Sequence, residues 1–290
     1  MILVTGAAGG VGRQVVTELV KKGLSIRAFD INPKVEELKK LGVAETFVGD
    51  GRLVNDVKKA LAGCNKVLYI PPMFIYDEAE IANRFVDEAV AAGIQQFVMM
   101  TVTHPNMSTL PQHTQKLKAE EHLVYKGLSD KLNYTILQPM HYMHNFSIPM
   151  VWSTNAYQCF YTKTTKLSYV DIVDVAEVAA KVLSEPEQHA NATYELVGPD
   201  FLSPNDMVEK FNQLTGRSAE CQQIPVETII NYFPTAKYDS YFVKTFQQLS
   251  ETYGEYGIAG NANVLTWLLG RQPTTFDEYI QREIETHQLH

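Results

Sequence analysis

The stretch that most constrains this chain lies at its start. Three apolar residues, Ile2 to Val4, run straight into the glycine cluster TGAAGGVG, and an amphipathic pattern follows from Val11. In such a strand–turn–helix opening, the first glycine, Gly6, permits the tight bend, and the second, Gly9, lets backbone approach a pyrophosphate. The third, Gly12, lets helix and strand pack closely while the helix N-terminus faces the negative charge. Glycine-rich turns are often only turns, but here the context is complete. A strand precedes, a helix follows, and Asp30 closes the next apolar run eighteen positions beyond Gly12. A carboxylate there can bind the adenosine ribose hydroxyls. The turn is therefore read as a dinucleotide cradle built from Gly6, Ala8, Gly9, Gly10, Val11 and Gly12. Because a carboxylate repels a 2′-phosphate, NAD is expected over NADP, with Arg13, Arg27 and Lys34 near enough to keep NADP open.

The pattern of the opening repeats. Strands are expected at 2–4, 25–29, 45–48, 66–70, in QFVMMTV and in NYTIL, with helices at 11–22, 34–41, 53–62, 77–92 and 115–126 between them. Apolar runs of strand length alternating with amphipathic helices predict an α/β fold, a doubly wound parallel sheet covered on both faces. After about Phe146 the pattern loosens. TKLSYVDIVDVAEVAAKVLSE reads as a turn plus a helix, ATYELVG as a strand, and SPNDMVEKFNQLTG as a helix with Ser203 at its N-cap, Pro204 at its first position and Gly216 at its end.

Composition excludes some partners. A formal charge of −8 with no basic stripe argues against nucleic acid. No stretch is long enough to span a bilayer, and the apolar start reads as a strand and not as a signal peptide. The cysteines Cys64, Cys159 and Cys221 are odd in number and scattered, which suits a reducing cytoplasm and gives neither a disulfide framework nor a zinc site.

Several motifs in order carry a resemblance: TGAAGGVG, Gly49–Asp50 after the third strand, KLKAEEHL, NYTILQPMHYMHNF, LSYVDIVDVAEVAAKVL, TYELVGP and LLGRQPTTFDEYI. Together they resemble the NmrA-like branch of the atypical short-chain dehydrogenase/reductases. The resemblance implies a Rossmann domain over residues 1–150 and a smaller C-terminal α/β substrate lobe over 151–290, with segments returning to the sheet. It implies an NAD(P)H-dependent oxidoreductase akin to quinone and dye reductases, or a redox-sensing regulator that binds dinucleotide without turnover and holds a protein partner. By similarity, Asp50 and Gly51 flank the adenine, and Pro71, Pro72 and Met73 line the adenosine ribose and diphosphate side.

Reductases of the wider superfamily use a Tyr-xxx-Lys pair, Tyr as proton donor and Lys at the nicotinamide ribose. The matching lysine here is Lys116, with Lys118 as fallback, and four positions earlier stands Gln112. An amide cannot donate a proton as a phenol does, so alcohol/ketone chemistry is disfavoured. Thr101 and Thr103 end the fifth strand, where sheet carboxyl ends meet a cofactor, and His104 and His113 are candidate proton donors. The resemblance makes MHYMHNF the floor of a substrate pocket, with Met140, His141, Tyr142, Met143 and Phe146 as its lining. His141 and His144 stand three apart without a third ligand, so no metal is expected. The expected catalytic set is Lys116, Tyr142, His113 and Thr103. Trp152, Tyr157, Phe160, Tyr161, Tyr232, Phe233, Tyr238, Tyr241 and Phe242 suit either lobe core or a flat conjugated acceptor such as a quinone, dye or enone.

Overall fold

The structure, a computed structural model, describes residues 1–234 and 236–290. The chain runs β1 (Ile2–Val4), α1 (Gly10–Lys21), β2 (Ile26–Asp30), a 3-10 segment (Pro33–Leu41), β3 (Glu45–Val48), α2 (Val54–Leu61), β4 (Lys66–Tyr69), α3 (Glu78–Ala91), β5 (Gln96–Met100), α4 (Pro111–Asp130) and β6 (Asn133–Pro139). It continues through β7 (His141–Tyr142), a 3-10 turn (Met143–Asn145), α5 (Ile148–Thr154), β8 (Ala156–Cys159), β9 (Leu167–Val170), α6 (Ile172–Ser184), β10 (Ala192–Leu196) and β11 (Phe201–Leu202). The remainder is α7 (Pro204–Thr215), β12 (Glu220–Gln223), α8 (Val226–Asn231), a 3-10 turn (Ala236–Tyr238), α9 (Ser240–Tyr256), α10 (Asn263–Leu269) and α11 (Phe276–His287).

These elements form two compact units. The first comprises Met1–Asn106, Gln112–Pro139 and Ile172–Glu195, and the second Met107–Pro111, Met140–Asp171 and Leu196–His290. The first unit therefore gives way to the second after Pro139, and α6 with most of β10 returns to it.

In the first unit a seven-stranded sheet has the order β10-β6-β5-β4-β1-β2-β3. Every pairing from β6 through β3 is parallel. Alternation of side chains explains why both faces are covered. Leu3, Val67, Tyr69, Phe97, Met99 and Ile136 face the layer of α2, α3 and α4, meeting Val57, Phe85, Val86 and Leu123 in one core. Their strand neighbours Val4, Leu68, Val98 and Leu137 are as deeply buried, and α1 packs beside α6. The return of α6 is fixed by polar contacts from strand ends: Lys66 Nζ donates to the Leu183 carbonyl and Gln96 Nε2 to that of Val182 at 2.9 Å. The sheet order reverses at β1, whose neighbours are β2 and β4. That switch point opens a crevice at the carboxyl ends of the strands.

Three elements differ from expectation. Residues 33–41 form 3-10 turns, in which the only buried residues, Val35 and Leu38, lie three apart and so align on one side of a helix with three residues per turn. The sequence LSYV, read as a turn, is strand β9, paired with β7 and β11. Helix α4 starts at Pro111, a residue well suited to the first helical position because its missing N–H is not needed there.

The second unit holds a three-stranded sheet, β11-β9-β7, and the parallel pair β12-β8. Its core is aromatic. Phe146 packs against Tyr157, Phe211 and Phe276 with ring centroids 4.6, 6.0 and 5.4 Å away. Helix α7 begins as read: Ser203 Oγ accepts from the Asp206 N–H at 3.2 Å, Asp206 returns the contact to the Ser203 N–H at 2.9 Å, and Gly216 closes the helix at φ +66°.

Candidate functional site

A cavity of about 430 Å³ lies in the first unit along the carboxyl ends of β1, β2, β3 and β4. One wall is the glycine turn. Gly6 adopts φ +58°, and a Cβ on Gly12 would fall 2.1 Å from the Gly6 carbonyl oxygen, so α1 can lie this close to the turn only with glycine at both positions. The ends of β1 and β4 are tied by Thr5, whose Oγ1 donates to the Ile70 carbonyl at 3.0 Å and accepts from its N–H at 2.8 Å. The first turn of α1 carries no acidic residue, and its N-cap, Gly9, supplies no side-chain cap. Its N–H groups have no intrahelical acceptor. A Cβ on Gly10 would meet nothing within 4 Å, so there is open room before the helix terminus.

Asp30 stands at the end of β2, its Oδ2 accepting from the Ala8 N–H at 2.9 Å and its Oδ1 from the Asn32 N–H at 2.8 Å. Two backbone donors thus fix the carboxylate, and each oxygen keeps a lone pair for a further donor. Next to it, Ile31 lines the same rim at 60% exposure. The floor is apolar, with Phe29, Tyr69, Ile75, Ile81 and Phe85. Opposite, Asp50 and Gly51 line the cavity with Arg52, and Pro71, Pro72 and Met73 complete the rim. Arg52 is gripped by Asp77 through Nε–Oδ2 at 2.6 Å and Nη2–Oδ1 at 2.9 Å, which joins the loop after β3 to the start of α3.

The structure thus brings Gly6, Gly9, Gly10, Val11, Gly12, Asp30, Asp50, Gly51, Pro71, Pro72 and Met73 to one cavity, with Ala8 behind as a ligand of Asp30. These residues could hold a nucleotide diphosphate: open helix N–H groups, a fixed carboxylate for a ribose, and an aromatic bed for a base.

Thr101 and Lys116 are not in that lining. The Thr101 hydroxyl is donated to Glu120, a buried carboxylate that also accepts from Gln138 Nε2 at 2.9 and 3.0 Å. Burial pushes the Glu120 carboxyl up despite these donors. Lys116 Nζ donates to Glu78 Oε1 at 2.7 Å, with side chains only 11% and 2% exposed. Burial raises the Glu78 carboxyl, and the Lys116 ammonium pulls it partly back. Glu78, Glu120 and the Arg52–Asp77 clamp carry no local sequence signal, since each partner is remote in the chain.

His113, expected as a proton donor, is buried. Burial lowers it to about 4, and its Nδ1–H is spent on the His104 carbonyl at 2.9 Å, so near neutrality it is an uncharged ring that offers Nε2 as an acceptor. Thr103 is buried, with its N–H donating to Pro139 at 3.2 Å. Gln112, at the position of the superfamily tyrosine, is also buried.

In the second unit the expected pocket walls are mostly core. Met140, Met143 and Phe146 are 3%, 0% and 1% exposed. Phe146 is enclosed by the rings of Tyr157, Phe211 and Phe276. His141 is held neutral near 4 by burial, accepts at Nε2 from the Asn145 amide at 3.0 Å, and packs edge-on against Tyr169 and Tyr253. Tyr142 is half-buried and stacks on His144 at 5.0 Å, and burial raises its phenol well above the usual value, so it stays protonated. Of the lobe aromatics, Tyr157, Tyr161 and Phe242 are core, Tyr232 and Tyr238 are exposed, and Trp152 carries the Arg217 guanidinium 4.3 Å over its ring. Among the described residues no group of three His, Cys, Asp or Glu side chains is placed to hold a metal, and no helix is long and apolar enough to cross a membrane.

Comparison with known proteins sets this geometry in context. The model of the NmrA-like family matches residues 1–280. Relatives include the uncharacterized oxidoreductase YesF of Bacillus subtilis, 22% identical with 96% of this chain and 93% of the relative covered. Quinone oxidoreductase 2 of Escherichia coli is 23% identical, with 97% of each chain covered. Among solved structures, the triphenylmethane reductase of Citrobacter sp. in complex with NADP(H) superposes with a TM-score of 0.76 at 24% identity over 98% of this chain and 100% of that one. At such identity the structural likeness establishes the fold.

Proposed function

The chain belongs to the NmrA-like family, and from that premise we propose that it is an oxidoreductase that binds NAD(H) in the first unit's cavity and reduces a planar conjugated acceptor of the quinone, dye or enone kind. The observation that carries the reading is the cavity itself: an open α1 N-terminus, the Gly6–Gly12 turn and a backbone-fixed Asp30 surround one crevice at the switch point of the sheet. In this reading the N–H groups of Gly10 to Gly12 hold the diphosphate and Asp30 accepts from the adenosine ribose hydroxyls. Phe29, Ile81 and Phe85 bed the adenine beside Asp50 and Gly51, and Lys116 serves the nicotinamide ribose.

Charge supports NAD(H) over NADP(H). Arg27 is occupied by Glu45 at 2.7 Å and by the carbonyls of Ala60 and Ala62 at 2.7 and 2.6 Å. Arg13 pairs with Glu37 at 3.2 Å, and Arg52 is clamped by Asp77. In this reading the side chains beside a ribose 2′-position are the Asp30 carboxylate and apolar Ile31. A 2′-phosphate would meet the repulsion of Asp30 there, with Lys34 the cation left to offset it. The Citrobacter relative, which takes NADP(H), makes NADPH the competitor to test.

When bound, the reduced nicotinamide supplies hydride. Gln112 in place of a tyrosine favours acceptors whose reduced anion is delocalised and takes its proton from solvent, as quinones and triarylmethane dyes do. The same residue favours a second reading, a sensor that binds dinucleotide without turnover. Calorimetric titration with NADH and NADPH tests the cavity: NADH should bind at least ten times more tightly. Equal or tighter NADPH binding would refute the NAD assignment, and no binding of either would refute the cavity reading.

A further inference from the structure

Two cysteines remote in sequence meet in the second unit. Strands β8 and β12 pair in parallel with Tyr157 opposite Cys221 and Cys159 opposite Gln223, so Cys159 and Cys221 are diagonal neighbours on one face. Their Sγ atoms lie 3.9 Å apart, both as free thiols. The two sites differ in access. Cys159 is 1% exposed, whereas Cys221 is only partly buried.

The chemistry of the pair is asymmetric. The two thiols share one contact in which either sulfur can be the donor, and that contact, with the positive charge of Lys163, lowers the Cys221 thiol below its usual value. The same contact, with burial, drives Cys159 up. An accessible thiol beside a buried one is the arrangement in which the first attacks an oxidant and the second resolves the product. Cys64 differs. It sits in the first unit, is raised by burial and donates to the Ala60 carbonyl at 3.6 Å, without a second thiol.

We propose that Cys159 and Cys221 form a peroxide-responsive dithiol, with Cys221 as the attacking sulfur and Cys159 as the resolving one, which closes reversibly to a disulfide. The Cys221 thiolate attacks one oxygen of hydrogen peroxide, breaking the O–O bond to give Cys221 sulfenic acid and hydroxide, which takes up the proton Cys221 released. Cys159 sulfur then displaces the sulfenic oxygen as water, with its own proton, and the S–S bond forms. Two thiols are oxidised and one peroxide is reduced to two waters. Across a parallel pair, about 4.8 Å between strands and about 6.6 Å along them put residues offset by two roughly 8 Å apart at Cα, beyond the relaxed span of a disulfide, so the two strands must shift and the bond is readily reduced. The modification is therefore a labile one, distinct from a structural staple.

The test uses the full-length reduced protein, treated with hydrogen peroxide, denatured and assayed for thiols and by peptide mass spectrometry. Of the three thiols, one should remain, on Cys64. A linked pair of peptides carrying Cys159 and Cys221, lighter by two hydrogens, should appear and be reversed by dithiothreitol. In Cys159→Ser, Cys221 should accumulate as a sulfenic acid trapped by dimedone, and in Cys221→Ser, Cys159 should keep its thiol at the same dose. Retention of all three thiols at a dose that oxidises free cysteine would overturn the proposal. So would oxidation of Cys64 ahead of the pair, or Cys221 sulfinic acid without the link.

Discussion

Replacing Glu78 by glutamine would leave the Lys116 ammonium almost enclosed, 11% exposed, with its nearest carboxylate gone. An exposed ion pair lost in this way costs under about 1 kcal/mol, but removing one partner of a buried pair costs about 3–5 kcal/mol, because the other charge stays desolvated. Glu78 is 2% exposed and is the only carboxylate bonded to Lys116 Nζ among the described contacts, so the upper range applies. Urea unfolding at pH 7 should therefore show Glu78→Gln destabilised by about 3 kcal/mol or more at unchanged m-value. Lys116→Met should cost less, since the Glu78 carboxyl, already raised by burial, can take up a proton. The double variant Glu78→Gln/Lys116→Met should be more stable than Glu78→Gln alone, a non-additivity of at least about 1 kcal/mol. A Glu78→Gln protein within about 0.5 kcal/mol of the parent, or an additive cycle, would refute the reasoning.

Three further outcomes follow from the same structure. Asp30→Asn removes the charge that a 2′-phosphate would meet while keeping a hydrogen-bond acceptor, so the preference for NADH over NADPH should narrow about tenfold in paired titrations, and an unchanged ratio would contradict the role given to Asp30. Gly12→Ala places a methyl 2.1 Å from the Gly6 carbonyl oxygen, so α1 must lift from the turn; an overpacking cost of about 1–3 kcal/mol in unfolding and at least tenfold weaker dinucleotide binding are expected, and parent-like values in both would contradict the close packing. Because burial depresses His113 and His141 from 6.5 to about 4, each contributes stability that is complete above pH 6.5 and is lost as pH falls through 4, about 3 kcal/mol apiece. Glu78 and Glu120, raised by burial, act oppositely, their contribution being lost as pH rises, so the sign is isolated by comparison: His113→Asn should show a shallower loss of stability between pH 6.5 and 4 than the parent, and equal slopes would contradict the assignment.

What could be read from the sequence was what local spacing determines. The glycine turn, Asp30 and the alternation of strands and helices are each set by residues near one another in the chain, so the parallel sheet and the cavity's glycine wall were legible before any coordinates. The lobe residues were not. Phe146 and Met143 are apolar whether they face a ligand or a neighbouring ring, and only packing shows that Phe146 lies among Tyr157, Phe211 and Phe276. Strand β9 was hidden for a related reason, as its antiparallel partner β11 begins more than thirty residues later. The Glu78–Lys116 pair joins positions 38 apart, and an amphipathic reading of α3 treats a first-turn glutamate as solvated. The pairing of Cys159 with Cys221 likewise depends on two strands whose register no motif announces.

The central claim, that this NmrA-like chain turns over a reduced nicotinamide against a planar acceptor, is tested most directly by following nicotinamide absorbance with NADH and the purified protein while adding quinones, triarylmethane dyes and enones. The account predicts acceptor-dependent oxidation that saturates with NADH and falls at least tenfold in Gly12→Ala. Tight NADH binding with no oxidation by any of these acceptors would contradict the reductase and leave the dinucleotide-binding sensor.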